Sequence, residues 1–149
     1  MKLTSAIGGG VAGAIVLTAI HETVRRLVNT APRMDRLGME ALEDTLSLAD
    51  AKIPEEDTLF KLTMAGDLVS NSVYYSLAGI GKEQQSILRG AVLGFVAGIG
   101  AVYLPGPLGL SEGPSNRTRQ TKLMTVALYA IGGLVAGAVG KLLENKTQA

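Results

Sequence analysis

Four long runs of apolar residues, separated by polar connections, dominate the pattern of the chain. The runs cover residues 3–20, 59–80, 87–104 and 123–140. Each is about 18 residues or longer, so as an α-helix it would extend roughly 27 Å or more and approach the thickness of the hydrocarbon core of a bilayer. The last run has no polar face, which a helix on the surface of a soluble protein needs. The pattern therefore predicts an all-α, polytopic integral membrane protein whose four transmembrane helices form a single domain over residues 1–149.

The second run is less uniform than the others because it contains Lys61, Asp67 and Asn71. Its length still fits a helix that crosses the membrane. Pro54 and the acidic residues 55–57 come just before it, an order typical of a helix start because acidic side chains stabilise the positive end of the helix dipole. We therefore expect a transmembrane helix here as well, with polar side chains inside the membrane.

The connection between the first two runs has a helical pattern of its own. Pro32 suits the first turn of a helix. Apolar residues then recur at a spacing of about 3.6 with charged residues on the other side, which predicts an amphipathic helix over residues 32–51 at the membrane interface. Acidic residues outnumber basic ones on it, the wrong sign for attraction to anionic lipid headgroups. We expect this helix to pack on the protein, with its acidic side facing water or a partner.

The first apolar run has a second interpretation. Lys2 followed by residues 3–20 also has the layout of a signal peptide. The sequence at residues 17–19, Leu-Thr-Ala, lacks the small residues of a normal cleavage site. We therefore expect the run to be kept as the first transmembrane helix.

Glycines recur four residues apart in three of the apolar runs. They are Gly9 and Gly13, then Gly90, Gly94 and Gly98, and finally Gly133 and Gly137. Because lipid tails are as apolar as the helices, membrane helices associate through close van der Waals contact, which small residues at this spacing permit. Glycine is also simply frequent in membrane helices. Three such stripes in one chain favour glycine-mediated helix packing, and we expect the protein to form oligomers through these faces.

Composition and charge exclude several classes of function. The 14 basic and 13 acidic residues leave a net charge of +1, which gives no basis for nucleic-acid binding. The chain has no cysteine and a single histidine, so it lacks the ligands from which zinc, haem and disulfide-bonded sites are normally built. The glycines at 8–10 lack the strand and lysine of a phosphate-binding loop. We expect no metal site, and the sequence indicates no particular cofactor.

The distribution of basic residues gives a weak orientation. More of them lie in the connections after the first and third runs than at the termini and in the connection after the second run. The positive-inside rule then places both termini outside and the long first connection in the cytoplasm. We therefore expect a multi-pass protein of a bacterial-type inner membrane.

A cluster of charged residues follows the first run. His21 and Arg25 are four residues apart, as are Glu22 and Arg26, so both pairs are neighbours on one helix. The segment carries only half of the HExxH zinc motif, and Arg25 stands where the second histidine would be, which excludes a zinc protease. The cluster is either a set of ion pairs at the membrane boundary or the mouth of a binding site.

Asp67 is the most unusual residue of the second run. A carboxylate inside a membrane costs about 3 kcal/mol on insertion scales and usually marks a functional site. Asn71 and Tyr74 lie on neighbouring turns of the same helix face. These residues form either a proton, ion or substrate site or a polar contact that holds two helices together. If His21 and Asp67 share a cavity with a basic rim, an anionic headgroup or a proton route is expected.

Three classes of function remain open. The first is an oligomeric, accessory or scaffold subunit of a larger membrane complex, which the small size and the packing signals favour. The second is a small proton- or ion-coupled transporter or channel that uses Asp67. The third is a lipid-active enzyme built on the cluster at His21, although a non-enzymatic role is favoured. The expected partners are the lipid bilayer and either further copies of the chain or other membrane subunits, with no nucleic acid.

Overall fold

The computed structural model describes the backbone of residues 1–148 and the side chains of residues 1–146. All regular structure in the described part is helical. The helices are α1 (Leu3–Leu27), α2 (Met34–Leu48), α3 (Glu56–Ser76), α4 (Ser86–Tyr103), α5 (Gly113–Asn116) and α6 (Arg119–Gln148). Short 3-10 turns lie at Leu77–Gly79, Glu83–Gln85 and Gly106–Leu108.

The four long helices α1, α3, α4 and α6 run in alternating directions along one bundle. At one end the amino group of Met1 donates a hydrogen bond to the carbonyl oxygen of Gly81 (3.2 Å), and the backbone N–H of Lys2 donates to the carboxylate of Glu144 (2.7 Å). We call this the terminal end. At the other end the N–H of Arg33 donates to the carbonyl of Pro114 (2.8 Å), which joins the two long connections. This connection end carries α2, α5 and residues 104–118.

Three helices are long and apolar enough to cross a membrane. They are Leu3–Leu27, Glu83–Tyr103 including its preceding 3-10 turn, and Arg119–Lys146. Their large apolar side chains lie on the outside of the bundle, as Ile7 and Ile15 do in α1, whereas Ser5 and Gly13 are buried in the interior. An outer surface that is more apolar than the interior fits a lipid environment. These features indicate a small multi-helix membrane protein.

The second apolar run differs from the expectation. It forms α3, which ends at Ser76 rather than residue 80, and α3 is not among the three apolar helices. The reason is the polarity contributed by residues such as Lys61, Asp67 and Asn71, which lowers its mean hydropathy. Its 21 residues nevertheless correspond to about 32 Å, and α3 packs along α1 and is followed by Ile80 at the terminal end.

The amphipathic helix is present but shorter than expected. It begins at Met34, not Pro32, because Arg33 adopts a non-helical backbone conformation (φ −115°, ψ 62°). It ends at Leu48 because Asp50 lies in the left-handed region with φ 50°. The helix packs on the protein: Leu37 is buried, and α2 contacts α3 and α5.

The three glycine stripes lie at contacts between helices of this one chain. A Cβ atom on Gly13 of α1 would lie 2.5 Å from the carbonyl oxygen of Gly132 in α6, and one on Gly98 of α4 would lie 2.6 Å from the Cα of Val126 in α6. Only glycine permits backbones to approach this closely. The remaining stripe glycines also meet the backbone of a neighbouring helix: Gly9 meets Ala136 and Gly140, Gly90 meets Gly133 and Gly137, Gly94 meets Tyr129 and Ala130, Gly133 meets Gly90 and Gly94, and Gly137 meets Ser86. The stripes therefore lie at helix contacts inside the protomer, and the formation of oligomers stays a prediction.

Candidate functional site

A cavity of about 290 Å³ lies towards the connection end, between α1, α2, α3 and α6. Most of its wall is apolar. This part of the wall is formed by Leu17, Met34, Leu42, Leu62, Met64 and Leu128. The exposed residues Gly66 and Ser70 of α3 also line it, so the cavity reaches the outer surface of the protein beside α3.

Asp67 of α3 lines this cavity without a cationic partner. Its Oδ1 accepts a hydrogen bond of 2.9 Å from the side-chain amide of Asn71, which is buried one turn further along α3. Within the part of the chain whose side chains are described, no Lys, Arg or His nitrogen lies within 4.0 Å of the Asp67 carboxylate. Tyr74 does not line the cavity, because its hydroxyl donates to the carbonyl oxygen of Leu93 in α4 (3.0 Å). Of the three residues singled out on this helix, Asp67 faces the cavity and Asn71 holds its carboxylate.

Two threonines of the cavity wall have a buried hydroxyl that makes no hydrogen bond within the described part of the chain. They are Oγ1 of Thr18 in α1 and Oγ1 of Thr63 in α3, and both atoms are buried. The Thr63 residue is only 8% exposed. A buried hydroxyl without a partner is unfavourable by about 1–3 kcal/mol. Sequence reasoning missed both, since a threonine in a membrane helix normally bonds its own backbone one turn earlier, as Thr125 does to Thr121.

His21 lies at the connection end of the cavity and is 6% exposed. Its Nε2 is 3.0 Å from the carbonyl oxygen of Pro32. The backbone N–H of Met34 lies 3.4 Å from the same nitrogen, so Nε2 contacts one backbone acceptor and one backbone donor at the start of α2. His21 therefore ties the end of α1 to the start of α2, and it shares the cavity wall with Asp67.

The remaining charged residues of the cluster form ion pairs between α1 and α2. Arg25 donates from Nε and Nη2 to the two carboxylate oxygens of Glu22, both at 2.6 Å. Its Nη1 lies 3.7 Å from the carboxylate of Asp35, the second residue of α2. Arg33 donates to the same carboxylate at 2.7 and 3.0 Å. A chain of alternating charges thus connects α1 to the start of α2.

The pKa of Asp35 reflects these ion pairs. Burial by itself would raise the pKa of its carboxyl group, but the hydrogen bond and charge of Arg33, together with the charge of Arg25, lower it below its usual value. The same hydrogen bond from the other side raises the pKa of Arg33. Asp35 is therefore a carboxylate at neutral pH, and its charge is balanced.

The expectation of a basic cavity rim is wrong. Arg25 is engaged by Glu22 and Asp35, and Arg26 is 72% exposed, 3.6 Å from Glu22 and outside the cavity. Among the residues whose side chains are described, no lysine or arginine lines the cavity, and the acidic residues of its wall are Asp35, which is paired, and Asp67. An anionic headgroup would find no compensating charge there.

The described residues contain no group of three or more His, Asp or Glu side chains that could hold a metal ion. Comparisons with known protein families, with curated proteins and with solved structures found no match to the chain. The functional class therefore has to be inferred from the cavity and its residues.

Proposed function

We propose that the protein crosses the membrane four times, with α3 as the fourth crossing helix, and that it binds a small ligand in the cavity between α1, α2, α3 and α6. The length of α3 and its position beside α1 support the first part. Val69 and Val73 are exposed on its outer side, whereas Asn71 is buried. Some polar side chains of α3 therefore lie inside the bundle, where polar residues of membrane helices usually lie.

The cavity supports the second part of the proposal. Small-molecule sites are concave and mostly apolar and contain a few polar groups that fix the ligand. Here the carrying observation is that Asp67, whose carboxylate accepts from Asn71 and has no cationic partner among the described residues, lies in this mostly apolar wall. A ligand that pairs with this carboxylate would remove a cost that the protein otherwise bears on its own.

Filling the cavity tests ligand binding. Thr18→Leu adds apolar volume to the wall and removes one unpaired hydroxyl, whereas Thr4→Leu makes the same change at an exposed position of the same helix. We expect mass spectrometry of protein purified in lipid nanodiscs to find a retained small molecule in the wild type and in Thr4→Leu, and to find it lost from Thr18→Leu. Equal retention in both variants, or none in the wild type, would contradict the proposal.

An accessory or scaffold subunit of a larger complex is the second candidate. It is supported by Leu48 at the end of α2, which is 90% exposed at the connection end beyond the apolar helices. The same spectra test this role, because a stable polypeptide partner in fixed stoichiometry is its expected result. A chain that is always recovered without another subunit would count against it.

A further inference from the structure

We infer that the ligand of this cavity is a small organic monocation with an apolar body, held by the carboxylate of Asp67. The inference rests on the proposed function, since it specifies what the cavity binds. It starts from the charges that face the cavity and then uses the shape and chemistry of the rest of the wall.

The balance of charge leaves Asp67 as the group without a counterion. The other carboxylate in the wall, Asp35, is paired with Arg33 at 2.7 Å and lies 3.7 Å from Arg25. The basic side chain in the wall is His21, whose Nε2 contacts the backbone at Pro32 and Met34 and whose Nδ1 lies 4.0 Å from Glu22. Among the described residues no basic nitrogen lies within 4.0 Å of the Asp67 carboxylate, so a cation entering the cavity gains a charge partner without displacing one.

The hydrogen bond from Asn71 fixes the orientation of the Asp67 carboxyl group in the cavity wall. Asn71 Nδ2 donates to Oδ1 of Asp67 at 2.9 Å, and both residues lie on α3, one turn apart. An amide donor stabilises a carboxylate without neutralising its charge. Oδ1 of Asp67 is therefore held by Asn71, and no hydrogen bond to Oδ2 is formed within the described residues.

The rest of the wall suits an apolar body. Leu17, Leu62 and Leu128 face the cavity from three different helices, and Tyr129 contributes an aromatic ring to the same wall. Aromatic rings attract organic cations through their negative faces. The volume of about 290 Å³ corresponds to a ligand of roughly a dozen non-hydrogen atoms, because a dry cavity of about 150 Å³ holds benzene.

Other ligand classes fit less well. An anion would approach two carboxyl groups with no lysine or arginine among the described residues of the wall. A neutral apolar molecule would leave the Asp67 carboxyl group in an apolar enclosure with Asn71 as its hydrogen-bond partner. A metal ion would lack its set of ligands, because the described residues bring no three His, Asp or Glu side chains together.

Three probes of nearly equal size separate these classes. Benzyltrimethylammonium is a cation, neopentylbenzene is its neutral isostere with carbon in place of nitrogen, and benzylsulfonate is an anion of similar shape. Binding of each is measured by equilibrium dialysis against protein in nanodiscs, with empty nanodiscs to subtract partition into lipid. We expect saturable binding of benzyltrimethylammonium and none of benzylsulfonate.

The variant that carries the test is Asp67→Asn, which keeps the shape of the side chain and a carbonyl oxygen that can accept from Asn71. The matched control is Asp57→Asn on the same helix, where the carboxylate is exposed and paired with Lys61. We expect Asp67→Asn to weaken binding of the cation about tenfold or more, because benzyltrimethylammonium has no N–H to donate and is held through the opposite charge that the variant removes. Asp57→Asn should bind as the wild type does, and circular dichroism should show the same helix content in all three proteins.

The possible results separate this inference from the proposed function. One result would support the ligand site but contradict the preference for a cation. In that result neopentylbenzene binds saturably, Thr18→Leu abolishes its binding, and Asp67→Asn leaves binding of the cation unchanged. If benzylsulfonate binds in preference to the cation, the specificity is likewise wrong. If no probe binds and Thr18→Leu retains the same molecules as the wild type, both proposals fail.

Discussion

At the scale of single residues, the charged residues after the first apolar run divide into one that lines the cavity and three that do not. His21 faces the cavity, whereas Glu22, Arg25 and Arg26 form ion pairs outside it. Sequence spacing places all of these on neighbouring turns, and the expected pair of Glu22 with Arg26 is present at 3.6 Å. Arg25 pairs with Glu22 rather than with His21. The spacing does not predict Asp35, which comes from another helix and lies 3.7 Å from Arg25.

The ion pairs of Asp35 stabilise the folded protein at neutral pH, and this contribution is lost in acid. Because its pKa in the folded protein is lowered below the usual value of 3.8, the carboxylate favours folding at neutral pH. That contribution is lost as the pH falls below the usual value and passes through the lowered one. We expect Asp35→Asn to lower the free energy of unfolding at pH 7 by about 1–3 kcal/mol and to reduce the loss of stability on acidification.

Thermal unfolding followed by circular dichroism at neutral and acidic pH checks this prediction. Asp44→Asn is the matched control, because Asp44 lies on the same helix but is exposed. It should leave both the stability and its dependence on pH close to those of the wild type. Equal acid sensitivity of Asp35→Asn and the wild type would show that the ion pair contributes nothing.

At the scale of the helices, α6 is the element on which the others pack. It contacts α1 and α4 along most of their lengths, and both contacts are made through glycines. The backbone atoms of α4 and α6 approach so closely at Gly98 that one added methyl group must separate them. The effect of replacing a glycine by alanine on stability therefore depends on whether that glycine lies at a helix contact.

Two glycines of α4 test this dependence. Gly98→Ala puts a Cβ atom 2.6 Å from the Cα of Val126, whereas Gly100→Ala meets only the side chain of Leu104, at 3.3 Å. We expect Gly98→Ala to lower the unfolding free energy by about 1–3 kcal/mol through overpacking. Gly100→Ala should be neutral or slightly stabilising, because alanine is the better helix former.

Unfolding of the two variants in mixed micelles measures the difference directly. The comparison controls for the chemistry of the substitution, since the two sites lie two residues apart on one helix. If both variants were as stable as the wild type, the close contact of α4 with α6 would not exist in the membrane.

At the scale of the whole molecule, the alternating helices separate the two ends of the bundle. Most of the basic residues lie at the connection end, which is therefore the cytoplasmic end in our proposal. The glycine faces are already used inside the protomer, so an oligomer or a complex with other subunits would have to form through the outer faces of the helices. Whether α3 crosses the membrane decides on which side the C-terminal part of α6 lies.

Labelling of single cysteines tests this arrangement, and the chain contains no cysteine that would interfere. Ser47→Cys marks the connection end and Asn145→Cys marks the terminal end, both at exposed positions. In intact bacterial cells we expect a membrane-impermeant maleimide to label Asn145→Cys from outside and Ser47→Cys only after permeabilisation. Labelling of both from the same side would mean that α3 does not cross, and the reverse pattern would invert the orientation.

The sequence by itself determined the helices, the class of protein and the unusual position of Asp67. These features follow from local rules, because the spacing of side chains on a helix and the apolar length needed to cross a bilayer can be read from a single segment. It also located the glycine contacts, but not which helices they join, and it overestimated the apolar character of α3.

Only the tertiary structure decided what surrounds the cavity. Thr18 and Thr63 are ordinary residues of two separate helices, and they become unpaired polar groups of one site only when α1 and α3 pack together under α2. In the same way the contact of Arg25 with Asp35 exists only because α2 packs against the end of α1. The physical reason is that the angle and depth at which distant helices meet depend on all of their contacts at once, and no local pattern contains that information.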